Sequence, residues 1–170
     1  GRDARRVRRG GCLMAATART ALANIKTRLA GITVAGGYTY ALDGADQVVI
    51  ATPITPDRMP SVYLNVLSVS STLAPGQTHL NAYVRRAVYG FLGFVGSNTD
   101  SPSDRTLAAM DLLDDICVRL EGDRGLTNTV FDLVVDGAPI IDGAAEDLPT
   151  LGVIAGTITV WWRSAAGQGV

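Results

Sequence analysis

The sequence predicts an α+β domain: a mostly antiparallel sheet with a long β-hairpin and two helices packed on one face. Three observations predict it. Apolar residues recur at helical spacing in two separate stretches, near 17–30 and 103–120. Two alternating, strand-like segments, 61–71 and 78–95, flank a Pro-Gly turn. The chain then closes on strand-like segments, the last spanning 151–163. Its 170 residues suffice for one hydrophobic core and are too few for two large domains. Apolar residues make up 47 % and charged residues only 18 %. Low charge density leaves surface free to be buried against other chains, because interface cores are depleted in charge.

In the first helix, over 17–30, Leu22, Ile25 and Leu29 share one face and Gly31 ends the run. Gly36-Gly37 marks a turn before Tyr38-Thr39-Tyr40, and Val48-Val49-Ile50 forms a short apolar segment. Pro53, Pro56 and Pro60 keep the following loop irregular. In the strand over 61–71, both faces are fairly apolar, which predicts an interior position. Ala74-Pro75-Gly76-Gln77 has proline and glycine where a type II turn wants them, so 78–95 returns as the second arm of the hairpin. Gly90 and Gly93 suggest a bulge or a close backbone approach.

Ser103 is the expected N-cap of the second helix, with Asp104 at the positive end of its dipole. Leu107, Met110, Leu113, Cys117 and Leu120, widened by Ile116, form the expected inner stripe. Asp111, Asp114 and Asp115 then form a solvated flank. The closing strands are 129–135, a short 139–141, and 151–163, the last lying deep in the sheet. Residues 164–170, mostly small, are expected to fray.

Charge is unevenly placed. Residues 1–13 carry Arg2, Arg5, Arg6, Arg8 and Arg9 against Asp3, a net of +4, so the chain's formal −1 leaves −5 for 14–170. This segment reads as a nucleic-acid-binding arm, as a flexible tail, or as sequence upstream of a natural start at Met14, the preferred reading. The domain is then 14–163. No stretch of about 18 apolar residues offers a membrane span, and 15–25 is too polar for a signal peptide core. Cys12 and Cys117 match no metal spacing. Cys117 reads as a buried free thiol of a protein made in a reducing cytosol.

The residues offer little for bond chemistry. His79 is the one histidine and sits beside the hairpin turn with no Gly-x-Ser-x-Gly elbow in the chain. Lys26 is the one lysine, and no phosphate-binding loop surrounds it. Asp111 and Asp115, four apart on a helix, are the best acid–base or cation-binding candidates, set against a plain solvated flank or charge placement at an interface or a channel. No cofactor is implied. Arg85 and Arg86 point to opposite faces of a strand, as do Trp161 and Trp162. One tryptophan is expected in the core; the other covers the opposite face or a partner, since tryptophan is enriched in interface hot spots.

The chain resembles the phage tail-terminator family, found in the neck where head and tail join in long-tailed phages. The resemblance runs through five segments spread over 17–163. These are Ala21 to Gly37, a helix and then Leu29-Ala30-Gly31-Ile32 leading to Gly36-Gly37-Tyr38; Arg58-Met59-Pro60-Ser61-Val62-Tyr63; Arg85-Arg86-Ala87-Val88-Tyr89-Gly90; Leu112-Leu113-Asp114-Asp115-Ile116-Cys117-Val118-Arg119-Leu120; and Gly156-Thr157-Ile158-Thr159-Val160-Trp161-Trp162-Arg163. It implies a non-enzymatic virion protein, assembled in the host cytoplasm into a hexameric ring on the tail tube. Such a ring stops tube polymerisation, meets a head-completion (stopper) protein and lets genomic DNA pass through its lumen. Pro75, Gly76, Gln77, Arg86, Trp161 and Trp162 are then candidates for contact with a neighbour or the tube, and Asp111, Asp114 and Asp115 for an acidic lumen or surface. The alternatives are another connector component, a tail-tube-like protein, a carboxylate-dependent hydrolase, or a basic-arm DNA binder.

Overall fold

A computed structural model describes residues 17–51, 58–73, 82–97, 101–127, 129–140 and 151–165. The helices are α1 (Ala18–Leu29) and α2 (Pro102–Glu121), and the strands β1 (Val48–Ile50), β2 (Ser61–Leu73), β3 (Ala82–Gly96), β4 (Asp132–Pro139) and β5 (Leu151–Ala165). The strands form one sheet in the order β1-β2-β3-β5-β4. Every pairing is antiparallel except β1 with β2. The fold class is therefore as predicted: an α+β domain with a mostly antiparallel sheet.

Chain order and sheet order differ at one place. The chain leaves β3, crosses the sheet in α2 and begins β4 parallel to β3 but one position away. β5 then fills the gap, antiparallel to both. This split β-α-β arrangement lays α2 over the β3–β5–β4 half. α1 rests against α2 and β1, so both helices occupy one face.

α1 forms as its pattern predicts. Thr17 caps it by accepting the N–H of Thr20 at 3.1 Å, and Ala21, Leu22, Ile25 and Leu29 are buried. Its last turn is held by α2 and the turn that follows it: Arg119 Nε donates to the Arg28 carbonyl at 3.0 Å, and Arg28 pairs with Asp123. Beneath the helix the Tyr89 hydroxyl, fully buried, donates to the Ala18 carbonyl at 2.7 Å. Burial pushes that phenol well above the usual tyrosine range, so it stays a neutral donor.

α2 departs from expectation in its start and its facing. It begins at Pro102, which sits in the first turn where a missing N–H is harmless. Its buried residues are Ala109, Leu112, Asp115, Ile116 and Leu120, whereas Leu107, Met110 and Val118 are 59, 47 and 64 % exposed. Cys117 is half-buried rather than buried. The sequence is apolar on more than one helical face, so periodicity alone could not choose. The sheet chooses.

Small residues form the floor under α2. A Cβ on Gly152 would lie 2.5 Å from the Arg105 carbonyl and 3.2 Å from the Ala109 Cβ. One on Gly93 would lie 2.7 Å from Ile154 and 3.2 Å from Leu112. The Phe91 ring lies across Gly156 on β5 and reaches toward Gly137 on β4. Ala109 and Leu112 therefore face inward, because helix backbone and sheet backbone meet there.

Three smaller expectations change. Residues 132–139 form one strand, and no separate strand starts at Pro139. β5 continues to Ala165, paired with Ala82, so the regular backbone outlasts the predicted boundary at 163. β2 is interior only at its start. Val62 and Leu64 are buried, but Val66, Leu67 and Val69 are 53, 55 and 36 % exposed, because the hairpin stem extends beyond the helices. The turn at 74–77 and His79, like residues 1–13 and Cys12, lie outside the described residues.

The glycine floor gives a direct test. Gly152→Ala should lower the stability measured by urea unfolding by about 1–3 kcal/mol, the usual cost of overpacking. Gly96→Ala, whose Cβ would meet nothing within 4 Å, should leave it unchanged or slightly raised.

Candidate interaction surfaces

Side chains alternate across each strand, so the sheet has a face under the helices and an open face. Ala87, Tyr89 and Phe91 of β3, Ile158, Val160 and Trp162 of β5, and Leu133 of β4 are buried in the core. The alternate residues stand on the open face, among them Tyr63, Arg86, Val88, Leu92, Phe94 and Trp161. No described helix covers them.

This separates the two tryptophans. Trp162 is 3 % exposed and belongs to the core, which removes it from the candidate interface. Trp161 is half-buried on the open face, with Arg86 of β3 and Asp132 of β4 as cross-strand neighbours. Arg86 is exposed. The structure thus brings Arg86 and Trp161 together, as an amphipathic pair such as interface centres favour. Further along the same face Tyr63 and Phe94 meet edge to face, centroids 5.9 Å apart and planes at 85°. Beside them Tyr63, Asn65, Leu67, Gly90, Leu92 and Ala155 line a shallow groove of ≈ 170 Å³.

The three acids of α2 part company. Asp111 and Asp114 are exposed, as expected of a solvated flank. Asp115 is only 7 % exposed, which corrects its place on that flank. Its carboxylate accepts the backbone N–H of Thr39 at 3.1 Å and of Tyr40 at 2.8 Å. It therefore pins the segment between α1 and β1 to α2. The same segment turns at Gly37, whose φ of 90° suits glycine, and buries Ile32 and Leu42, where the Leu42 N–H donates to the Ile32 carbonyl at 2.9 Å.

Asp111 contributes instead to a cleft of ≈ 390 Å³, with Tyr40, Gly96, Ser97, Asp104, Leu107 and Ala108. Burial, then Asp111, then Asp115 raise the Tyr40 phenol above its usual range. Burial, Glu121 and Asp114 likewise raise the Cys117 thiol, which disfavours the reactive thiolate. Among the described residues no three His, Cys, Asp or Glu side chains come together as a metal site.

Leu107 and Met110, expected on the inner stripe, stand exposed on the outer side of α2, and sequence reasoning passed over the exposed Val118 beside them and Phe131 and Val134 at the β4 end. Phe131 is 54 % exposed and carries the Arg163 guanidinium 5.9 Å from its ring centroid. Composition gave one signal, a low share of charge, but not its position. The arrangement is suited to burying apolar and aromatic area against another chain.

No family model and no curated protein matches this chain. Among the described residues no helix is long and apolar enough to cross a membrane.

The two carboxylates separate by their roles. Asp115→Ala orphans two N–H groups and should cost roughly 2–4 kcal/mol in urea unfolding. Asp111→Ala should change stability by less than about 0.5 kcal/mol.

Proposed function

We propose that this chain is a structural subunit of a phage neck, of the tail-terminator type, which works by assembling into a ring and catalyses no reaction. The observation that best supports this reading is the open sheet face, where Arg86 and Trp161 sit side by side and Tyr63 and Phe94 form an aromatic pair. A sheet covered on one side only leaves a second side for another layer, and here that layer would come from a neighbouring copy. Asp115 argues against hydrolysis by an Asp111–Asp115 pair: its two oxygens already hold backbone amides.

In this reading the ring caps the tail tube, stops its growth and offers its other rim to the head-completion protein. Asp111 and Asp114, exposed on α2, suit a lumen wall along which DNA slides without sticking, since like charges repel. The hexameric count rests on the family resemblance, as does the place in the virion. The stopper and tube-like alternatives differ from it in what the subunits build.

Native mass spectrometry with negative-stain images tests the reading. A closed sixfold ring that does not lengthen is expected. Open tubes that lengthen with concentration would make the chain a tube subunit and overturn it. Trp161→Glu should abolish the ring while far-ultraviolet circular dichroism stays native, because this residue stands outside the core.

A further inference from the structure

We infer that the open sheet face of one copy receives the outer side of α2 from the next copy, a contact that rests on the self-assembly proposed above and names its second surface.

The two faces are complementary in kind. On α2, Leu107, Met110 and Val118 are 59, 47 and 64 % exposed, and Asp114 and Glu121 are exposed one turn either side of Val118. Residues 107, 110, 114, 118 and 121 follow at steps of three and four, so they form one ridge opposite the buried Ala109, Leu112 and Ile116. Glu121 Oε1 also accepts the Val135 N–H at 3.2 Å. The sheet face offers the reverse charge. Over β2, β3 and β5 every charged residue is an arginine, and Arg86 and Arg163 are exposed. The acids of this face, Asp132 and Asp136, stand on the edge strand β4, where Asp132 pairs with Arg124 at 2.9 Å.

Charge selects the pairing. Two α2 ridges laid together would set Asp114 and Glu121 against their own copies. Two open faces would do the same with Arg86 and Arg163. A ridge on an open face sets acid against arginine, and like-charge juxtaposition is avoided. Such a contact joins two different surfaces of the chain. It is head-to-tail, and it closes into a ring when the rotation per step divides a full turn.

Spacing agrees with charge. Along α2, Met110 and Leu107 lie about 12 and 17 Å from Val118 at the helical rise. Along β3, Gly90 and Leu92 lie about 13 and 20 Å from Arg86 at the strand rise. With Val118 over the Arg86–Trp161 pair, Met110 and Leu107 therefore fall on the groove of ≈ 170 Å³ lined by Tyr63, Gly90 and Leu92. The C-terminal end of α2 then points along the stem toward Arg163, as the helix dipole favours. Asp114 is taken up in this contact. Asp111, on the Tyr40 side of the ridge, is the exposed acid left to a lumen.

Sedimentation velocity of the full chain, with charge reversals at two exposed positions, tests this. Association should weaken as salt rises. Arg86→Glu and Asp114→Arg should each weaken it at least about tenfold, with far-ultraviolet circular dichroism unchanged. An equal mixture of the two variants should associate more tightly than either alone, because the Arg86 face of one still meets the Asp114 ridge of the other. A photoreactive residue at Met110 should cross-link to residues 63–67 or 90–92 of another copy. Cross-links from Met110 to another copy's α2, or a mixture no tighter than its parts, overturn the inference. A sixfold ring that ignores both reversals would overturn it and leave the ring reading standing. Open filaments that either reversal disperses would support it and remove the ring reading. A chain that stays single at every concentration would overturn it as well.

Discussion

The contact between α2 and the bare backbone of β3, β5 and β4 governs the rest of the structure. Gly93, Gly152 and Gly156 remove side chains from the middle of the helix-covered face. The helix descends until Ala109 and Leu112 touch the sheet, and the Phe91 ring fills the space over Gly156 and Gly137. Once α2 is fixed at this depth and rotation, Asp115 must face inward. It can do so only because two backbone amides of the 37–42 segment meet its carboxylate. That segment in turn seats Ile32 and Leu42 in the core beneath α1. A close helix contact thus propagates, through one buried acid, to the placement of the chain between α1 and β1.

Much of this was legible in the sequence, for identifiable reasons. α1 has a single apolar face, so Leu22, Ile25 and Leu29 could point only one way. The hairpin strands and β5 are long and rich in β-branched and aromatic residues. The pair Trp161-Trp162 could be divided between faces by strand alternation, although which one was core depended on the register with β3. α2 was not legible in the same way. Its leucines and methionine surround the helix, and the deciding facts, glycines at 93 and 152, lie on other elements. Asp115 was misread for a related reason: a carboxylate with backbone partners 75 and 76 residues away leaves no local pattern.

The two sides of the sheet share the labour unequally. The helix side holds nearly all the large buried residues, from Tyr89 to Trp162, each worth roughly 1.5–3 kcal/mol on burial. The open side has aromatic and aliphatic residues of the same kinds left half-exposed. The edges differ too: side chains cap Leu133 and Val135 on β4, while among the described residues β2 beyond Leu64 pairs on its β3 side alone. The stem of β2, β3 and β5 is basic, whereas the exposed acids Asp111 and Asp114 stand on α2. A chain with one finished side and one unfinished side is suited to assembly, and the finished side can stay rigid while the other is covered.

The central claim is that this open face is covered by other copies of the chain. Its most direct measurement uses the two native tryptophans. Acrylamide quenching of the dispersed protein should resolve one accessible class, Trp161, and one protected class, Trp162. On assembly the accessible class should vanish, with the protected one unchanged. An assembly in which Trp161 stays as quenchable as in the dispersed chain would contradict the claim.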